Sequence, residues 1–276
     1  MSINIFSFSI ILAENAICKS KKNFYCDTKQ SEIKTEIFGE GQVPIVLIHG
    51  LGLTRQIWYP TIGKINKKNL KIVIYDLSTH GQSKIKSWPP SIDKHAEDVF
   101  NIIKFNRIEK FILIGHSYGG RIAQRFVELY PSRVAALGLI STWHGPFNKK
   151  DLKVIKTKFK IALLANKIIG ILPKWMVPDF MYYFSRSPNL NDFVEFNECI
   201  SGRASHKPDN QIILTYSLHA RNDYTIPYRL GLQCGEYWNS EMTTIDGYIH
   251  QIPSSRPEMV SKWIISIVDD VQMSFP

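Results

Sequence analysis

The sequence is short of acid relative to base, short of cysteine, and without long apolar runs. Its four cysteines (Cys18, Cys26, Cys199, Cys234) are scattered over 276 residues with no Cys-x-x-Cys pair. That spacing argues against a thiolate metal site, and a chain of this length needs no disulfide framework to fold. A reducing, cytoplasmic compartment is therefore expected. Residues 1–12 are apolar, but no Lys or Arg precedes the apolar part and the run is too short to span a membrane. Residues 1–21 are expected to be a leader outside the folded core. Internal repeats and low-complexity tracts are absent. Acids number 24 against 34 Lys and Arg, a formal net charge of +10. The surplus is uneven: residues 149–174 hold eight lysines (149, 150, 153, 156, 158, 160, 167, 174) and one acid, Asp151. Nucleic acid is not the expected partner, because no recognition motif accompanies this charge.

What is present is an alternation of short apolar strands with helical segments. Val43–Ile48, Leu70–Tyr75, Phe111–Ile114 and Val134–Ile140 are apolar runs of strand length. Residues 22–38 read as a hairpin. Ile92–Phe105 and Arg121–Tyr130 have helical spacing. Strands apolar on both faces and separated by helices predict a mostly parallel sheet covered on both sides, an α/β fold. The rhythm stops after Ser141. Residues 145–210 contain Pro173, Pro178, Pro188 and Pro208 and no buried strand, so they predict an inserted helical lid. Strands at Gln211–Leu218 and Met242–Ile245, and helices from Pro227 and from Pro257 to Val271, resume the core. The expected organisation is a leader (1–21), a first core part (22–144), a lid (145–210) and a second core part (211–276).

The strand at 111–114 runs into Gly115-His-Ser-Tyr-Gly119, a G-x-S-x-G motif. Glycines on either side of Ser117 allow a sharp strand-to-helix turn that exposes the hydroxyl above the sheet. A serine hydroxyl is a weak nucleophile and needs a base, and the base needs an orienting carboxylate. In a parallel sheet such groups collect at the carboxyl ends of strands. Asp223 and His250 lie just past predicted strand ends. Asp76 also follows a strand and is the rival acid. The segment Ser141–Asn148 offers no carboxylate, which favours Asp223.

Five motifs in order resemble the α/β-hydrolase fold superfamily, from about Val43 to the C-terminus. They are His49-Gly-Leu-Gly52, Asp76-Leu-Ser-Thr-His-Gly-Gln-Ser83, the Ser117 elbow, Tyr130-Pro-Ser-Arg-Val134, and His250 followed by Pro257-Glu258. The chain departs from the family pattern at Thr79, Ala220 and Ile249, where glycines are usual. The resemblance implies a serine hydrolase acting on a carboxylic ester, with Ser117 as nucleophile, His250 as base and Asp223 as its orienter. It implies an oxyanion hole from the backbone N–H groups of Leu51 and Tyr118, and no metal or organic cofactor. His49, Gly50, His116 and Trp143 are expected at the substrate pocket; Asp76 and Ser83 take loop roles.

A small ester with an apolar part is the expected substrate. Lys153, Lys156, Lys160 and Lys167 recur at helical spacing opposite Leu152, Ile155, Phe159, Leu163 and Ile168. This basic amphipathic lid fits an acidic acyl-carrier protein or an anionic membrane surface as partner. One version is an esterase for carrier-bound methyl esters, of the pimeloyl type. Other readings on the same fold are a carbon–carbon bond hydrolase, a cofactor-free peroxidase, and a ligand receptor without activity.

Overall fold

The computed structural model describes residues 21–66, 69–87, 89–157, 204–209, 212–247 and 249–274. Residues 1–20 of the expected leader and residues 158–203 of the expected lid, with Lys158, Lys160, Lys167 and Lys174, lie outside the described residues.

Nine strands form one sheet among the described residues. They are β1 (Lys22–Asp27), β2 (Ser31–Phe38), β3 (Val43–Ile48), β4 (Leu70–Tyr75), β5 (Lys84–Ile85), β6 (Phe111–His116), β7 (Val134–Ile140), β8 (Leu214–Ala220) and β9 (Glu241–Ile245). Their spatial order is β1-β2-β4-β3-β6-β7-β8-β9, with β5 paired to β2. β1, β2 and β4 pair antiparallel; from β4 through β9 every pair is parallel. The helices are α1 (Tyr59–Lys64), α2 (Ile92–Phe105), α3 (Tyr118–Leu129), α4 (Tyr228–Trp238), α5 (Ile252–Ser255) and α6 (Pro257–Ser274).

Strand side chains alternate between two cores. Val46, Ile48 and Leu113 point to the face covered by α2, α3 and α4, where Val99, Ile122, Phe126 and Trp238 pack. Ile45, Leu47, Ile112 and Ile114 point to the other face, covered by α1 and α6 with Ile62, Ile264 and Ile267. Burial on both faces explains why these strands read as unbroken apolar runs. The mostly parallel, doubly covered sheet is the predicted α/β fold.

Several boundaries moved, most at β8 and α3. β8 starts at Leu214 rather than Gln211 and runs on to Ala220, and α3 starts at Tyr118 rather than Arg121. The helix begins directly at the elbow, so Tyr118 and the two glycines that look like turn residues belong to its first turn. α1, α5 and β5 are too short for a periodic signal. The start of the predicted lid is described: residues 149–157 are helical, with Ile155 buried and Lys149, Lys150, Lys153 and Lys156 exposed. Ile155 of this segment belongs to the same core as Trp143 and Phe147, and Leu152 packs against that core. Among the described residues no helix is long and apolar enough to cross a membrane.

Candidate active site

The site starts from the strain at Ser117. Its φ of 53° and ψ of −117° are rare for a residue with a Cβ. The surroundings fix this conformation. The Ser117 N–H donates to the Ile140 carbonyl at 2.8 Å, and its carbonyl accepts from Gly120 N–H (2.9 Å) and the Thr142 hydroxyl (2.7 Å). The turn closes only because two side chains are missing. A Cβ on Gly115 would meet the Gly119 carbonyl oxygen at 2.2 Å, and one on Gly119 would lie 2.6 Å from the carbonyl oxygens of Ile48 and His49.

His250 arrives on the loop between β9 and α5. Its Nε2 lies 3.0 Å from Ser117 Oγ. Its Nδ1 lies 2.8 Å from Asp223 Oδ2 and 3.0 Å from Oδ1. Asp223 sits on the loop after β8, where Oδ1 also accepts the N–H groups of Thr225 (2.7 Å) and Ile226 (2.9 Å). Burial pushes the Asp223 carboxyl up, but the charge and hydrogen bond of His250, with His219 and the Thr225 N–H, outweigh it. The carboxyl is held below its ordinary value. All three side chains are buried, so the chain of hydrogen bonds runs through a water-poor setting. A carboxylate on Nδ1 fixes the imidazole tautomer that leaves Nε2 free to take a hydroxyl proton.

The model of the alpha/beta hydrolase fold family matches residues 43–197, more than half of the chain. The chain belongs to the alpha/beta hydrolase fold family. Of its relatives, a putative 2-succinyl-6-hydroxy-2,4-cyclohexadiene-1-carboxylate synthase of Bacillus subtilis is 26% identical over 79% of this chain and 82% of its own length. An acetyltransferase component of the acetoin cleaving system of Pseudomonas putida is 33% identical over 39% of this chain, which spans only 29% of that protein. Among solved structures, a carboxylesterase of Nitrososphaera gargenis superposes with a TM-score of 0.74 at 17% identity, over 92% of this chain and 100% of that one. At that identity the likeness shows the fold.

In this hydrolase-fold chain the loop after β3 abuts the elbow. A Cβ on Gly50 would lie 3.0 Å from Ser117 Cβ, and Leu51 is the next residue in the chain. The N–H of Leu51 donates to no protein group among the described residues. Tyr118 opens α3, which places its N–H at the positive end of the helix.

The four expected pocket residues divide. Gly50 lies against Ser117. His49 is fully buried, its Nδ1 2.8 Å from the Gly50 carbonyl and its Nε2 accepting Leu77 N–H at 3.0 Å. His116 is also fully buried, with Nε2 2.9 Å from the His250 carbonyl. Trp143 stacks on Phe147 at 4.8 Å and faces the Arg121 guanidinium at 5.8 Å. The rival acid Asp76 is committed elsewhere: it pairs with buried Arg55 (2.5 Å) and accepts the N–H groups of Arg55 and Gln82, both at 2.8 Å. Ser83 takes a loop role, donating to the Asp76 carbonyl and accepting Lys34 N–H.

Two residues near the site escaped the sequence reading. His219 lies 3.5 Å from Asp223 and donates from Nε2 to the Ile226 carbonyl at 3.0 Å, bracing the acid loop. Thr142 caps the Ser117 carbonyl. A histidine four residues before the acid, at the end of a strand, was the available signal for the first; nothing local marks the second. Among the described residues no cluster of His, Cys, Asp and Glu is arranged to hold a metal ion.

Proposed function

We propose that this protein is a serine hydrolase that cleaves a carboxylic ester through an acyl-enzyme. The observation that carries the proposal is the continuous chain from Ser117 Oγ through His250 to Asp223, at 3.0 Å and 2.8 Å. Ser117 Oγ attacks the ester carbonyl while its proton passes to His250 Nε2. The carbonyl oxygen becomes an oxyanion facing the N–H groups of Leu51 and Tyr118, each such donor contributing about 3 kcal/mol. Collapse breaks the bond to the alcohol, which leaves with the proton from His250. Water then attacks the acyl group, gives its proton to His250, and the acid departs from Ser117. Asp223 holds the ring and stabilises the imidazolium that forms in each half. The exposed lysines at 149, 150, 153 and 156 extend the reading to esters borne by an acidic carrier.

The test is a chain-length series of p-nitrophenyl esters with wild type and Ser117→Ala. Turnover that vanishes in the variant is the expected result. Wild type inert to every ester, and to a fluorophosphonate in its folded state, would overturn the reading and favour a receptor.

A second reading draws on the Bacillus subtilis relative, which is named for making a carbocyclic carboxylate. Arg121, one turn after Ser117, is 1% exposed, and its guanidinium faces the Trp143 ring at 5.8 Å. The same three residues would then handle an anionic substrate without an ester bond. Protein that is labelled by the fluorophosphonate yet inert to every ester would favour this alternative.

A further inference from the structure

The His250 loop is held from a side that the three central residues do not explain. It leaves β9 at Ile245, passes Gly247 at a φ of 127°, and enters α5 at Ile252. His116, the residue immediately before Ser117, reaches across to it. The His116 Nε2 is 2.9 Å from the His250 carbonyl, and the two rings lie 5.0 Å apart. A carbonyl only accepts, so Nε2 carries a proton, while Nδ1 is buried without a hydrogen-bond partner. Burial, and then the neighbouring His250, push the His116 pKa to about 3, which keeps this donor in one state through the neutral range. On its other edge the ring bounds the oxyanion loop: a Cβ on Gly50 would lie 3.1 Å from His116 Nδ1. One rigid, fully buried ring thus touches the base loop and the oxyanion loop while its backbone continues into the nucleophile.

We propose that His116 is a positioning residue that sets the Ser117–His250 spacing by donating from Nε2 to the His250 carbonyl, so that elbow and histidine loop move as one body. This rests on the reading of Ser117 and His250 as the reacting pair. The phenol of Tyr224, next in sequence to Asp223, meets the His250 backbone N–H. His250 is therefore gripped at its carbonyl and at its N–H by neighbours of the two other central residues.

The experiment compares His116→Leu, which keeps bulk and loses the donor, with His116→Gln, whose amide nitrogen reaches the position of Nε2. Three quantities are read: kcat and KM on a p-nitrophenyl ester, the rate of fluorophosphonate labelling at Ser117, and the NMR signal of the His250 Nδ1 proton in its bond to Asp223. His116→Leu is expected to lower kcat and labelling together by about 10- to 100-fold with KM little changed, as a displaced reacting group does. The Nδ1 proton signal should broaden or move in His116→Leu and return in His116→Gln, along with most of the lost rate. Wild-type labelling speed in His116→Leu would overturn the proposal, as would a folded His116→Gln as slow as the leucine variant. If His116→Leu fails to fold, Tyr224→Phe, which removes only the opposing hydroxyl, must shift the same proton signal. Wild type that takes no label sinks the reading of the site instead, and the proton signal still decides whether His116 positions His250.

Discussion

His49 and His80 each accept a backbone N–H from the loop that carries the other. His49, after β3, accepts Leu77 N–H at 3.0 Å; His80, after β4, accepts Gly52 N–H at 2.9 Å. The rings meet edge to face, 5.3 Å apart. Both Nε2 atoms are acceptors, so each ring carries its proton on Nδ1, which faces the Gly50 carbonyl in one and the Thr79 hydroxyl in the other. Gly52 is one residue from Leu51, so the clasp sets where the Leu51 N–H points. Replacing His80 by Leu orphans a buried N–H, at a cost of about 1–3 kcal/mol. The expected result is a kcat lower by about tenfold with an unchanged KM, because the oxyanion donor is met only in the transition state. Steady-state kinetics on a p-nitrophenyl ester check it; an equal rise in KM would count against it.

Asp223→Asn should be more damaging than its small change in shape suggests. The Thr225 and Ile226 N–H groups already claim Oδ1, so an asparagine keeps its oxygen there and turns its NH2 toward His250. His250 must then accept at Nδ1 and carry its proton on Nε2, where it cannot receive one from Ser117. A fall in kcat of about 10⁴ is expected, with the fold intact. A loss under tenfold would show that Asp223 does not orient the base.

Arg55 is the structural counterpart of this site. It lies buried between Glu36 (2.8 Å) and Asp76 (2.5 Å) and ties β2 to the loop after β4. Arg55→Met leaves two buried carboxylates without their cation, which costs about 3–5 kcal/mol. Urea unfolding followed by tryptophan fluorescence should show the midpoint falling accordingly. Stability equal to wild type would mean that the cluster contributes nothing net.

Asp98 gives stability a pH dependence of unusual sign. It is buried in α2, where Ser31 Oγ reaches it at 3.3 Å. Burial, only partly offset by His95 and the serine hydroxyls, raises its pKa from 3.8 to about 6. A raised carboxyl pKa means that the folded state prefers the protonated form. Its contribution is therefore present in full below about pH 4 and is lost as pH rises to about 6, a span worth about 3 kcal/mol. Asp98→Asn cannot ionise and should flatten that window, with the gain over wild type appearing above pH 6. Chemical denaturation at a series of pH values measures it; parallel pH curves for the two proteins would refute it.

The serine turn, the alternation of strands and helices, and the lack of a carboxylate after β7 were legible in the chain itself. They depend on near neighbours: a glycine two residues away, an apolar run, or an acid missing from Ser141–Asn148. The roles of the histidines were not. His49 and His116 read as pocket neighbours because they flank the presumed site; in the structure His49 Nε2 accepts Leu77 N–H and His116 Nε2 meets the His250 carbonyl.

The sequence by itself determined which chemistry is carried, since hydroxyl, imidazole and carboxylate are properties of Ser117, His250 and Asp223 wherever they sit. Only the tertiary structure decided that they meet, across 133 residues from Ser117 to His250 and 27 from Asp223 to His250. That convergence follows from the parallel order of β6, β7, β8 and β9, which brings their carboxyl ends to one rim. Strand order is set by burying both faces of the sheet under helices, a long-range packing choice that no local pattern encodes.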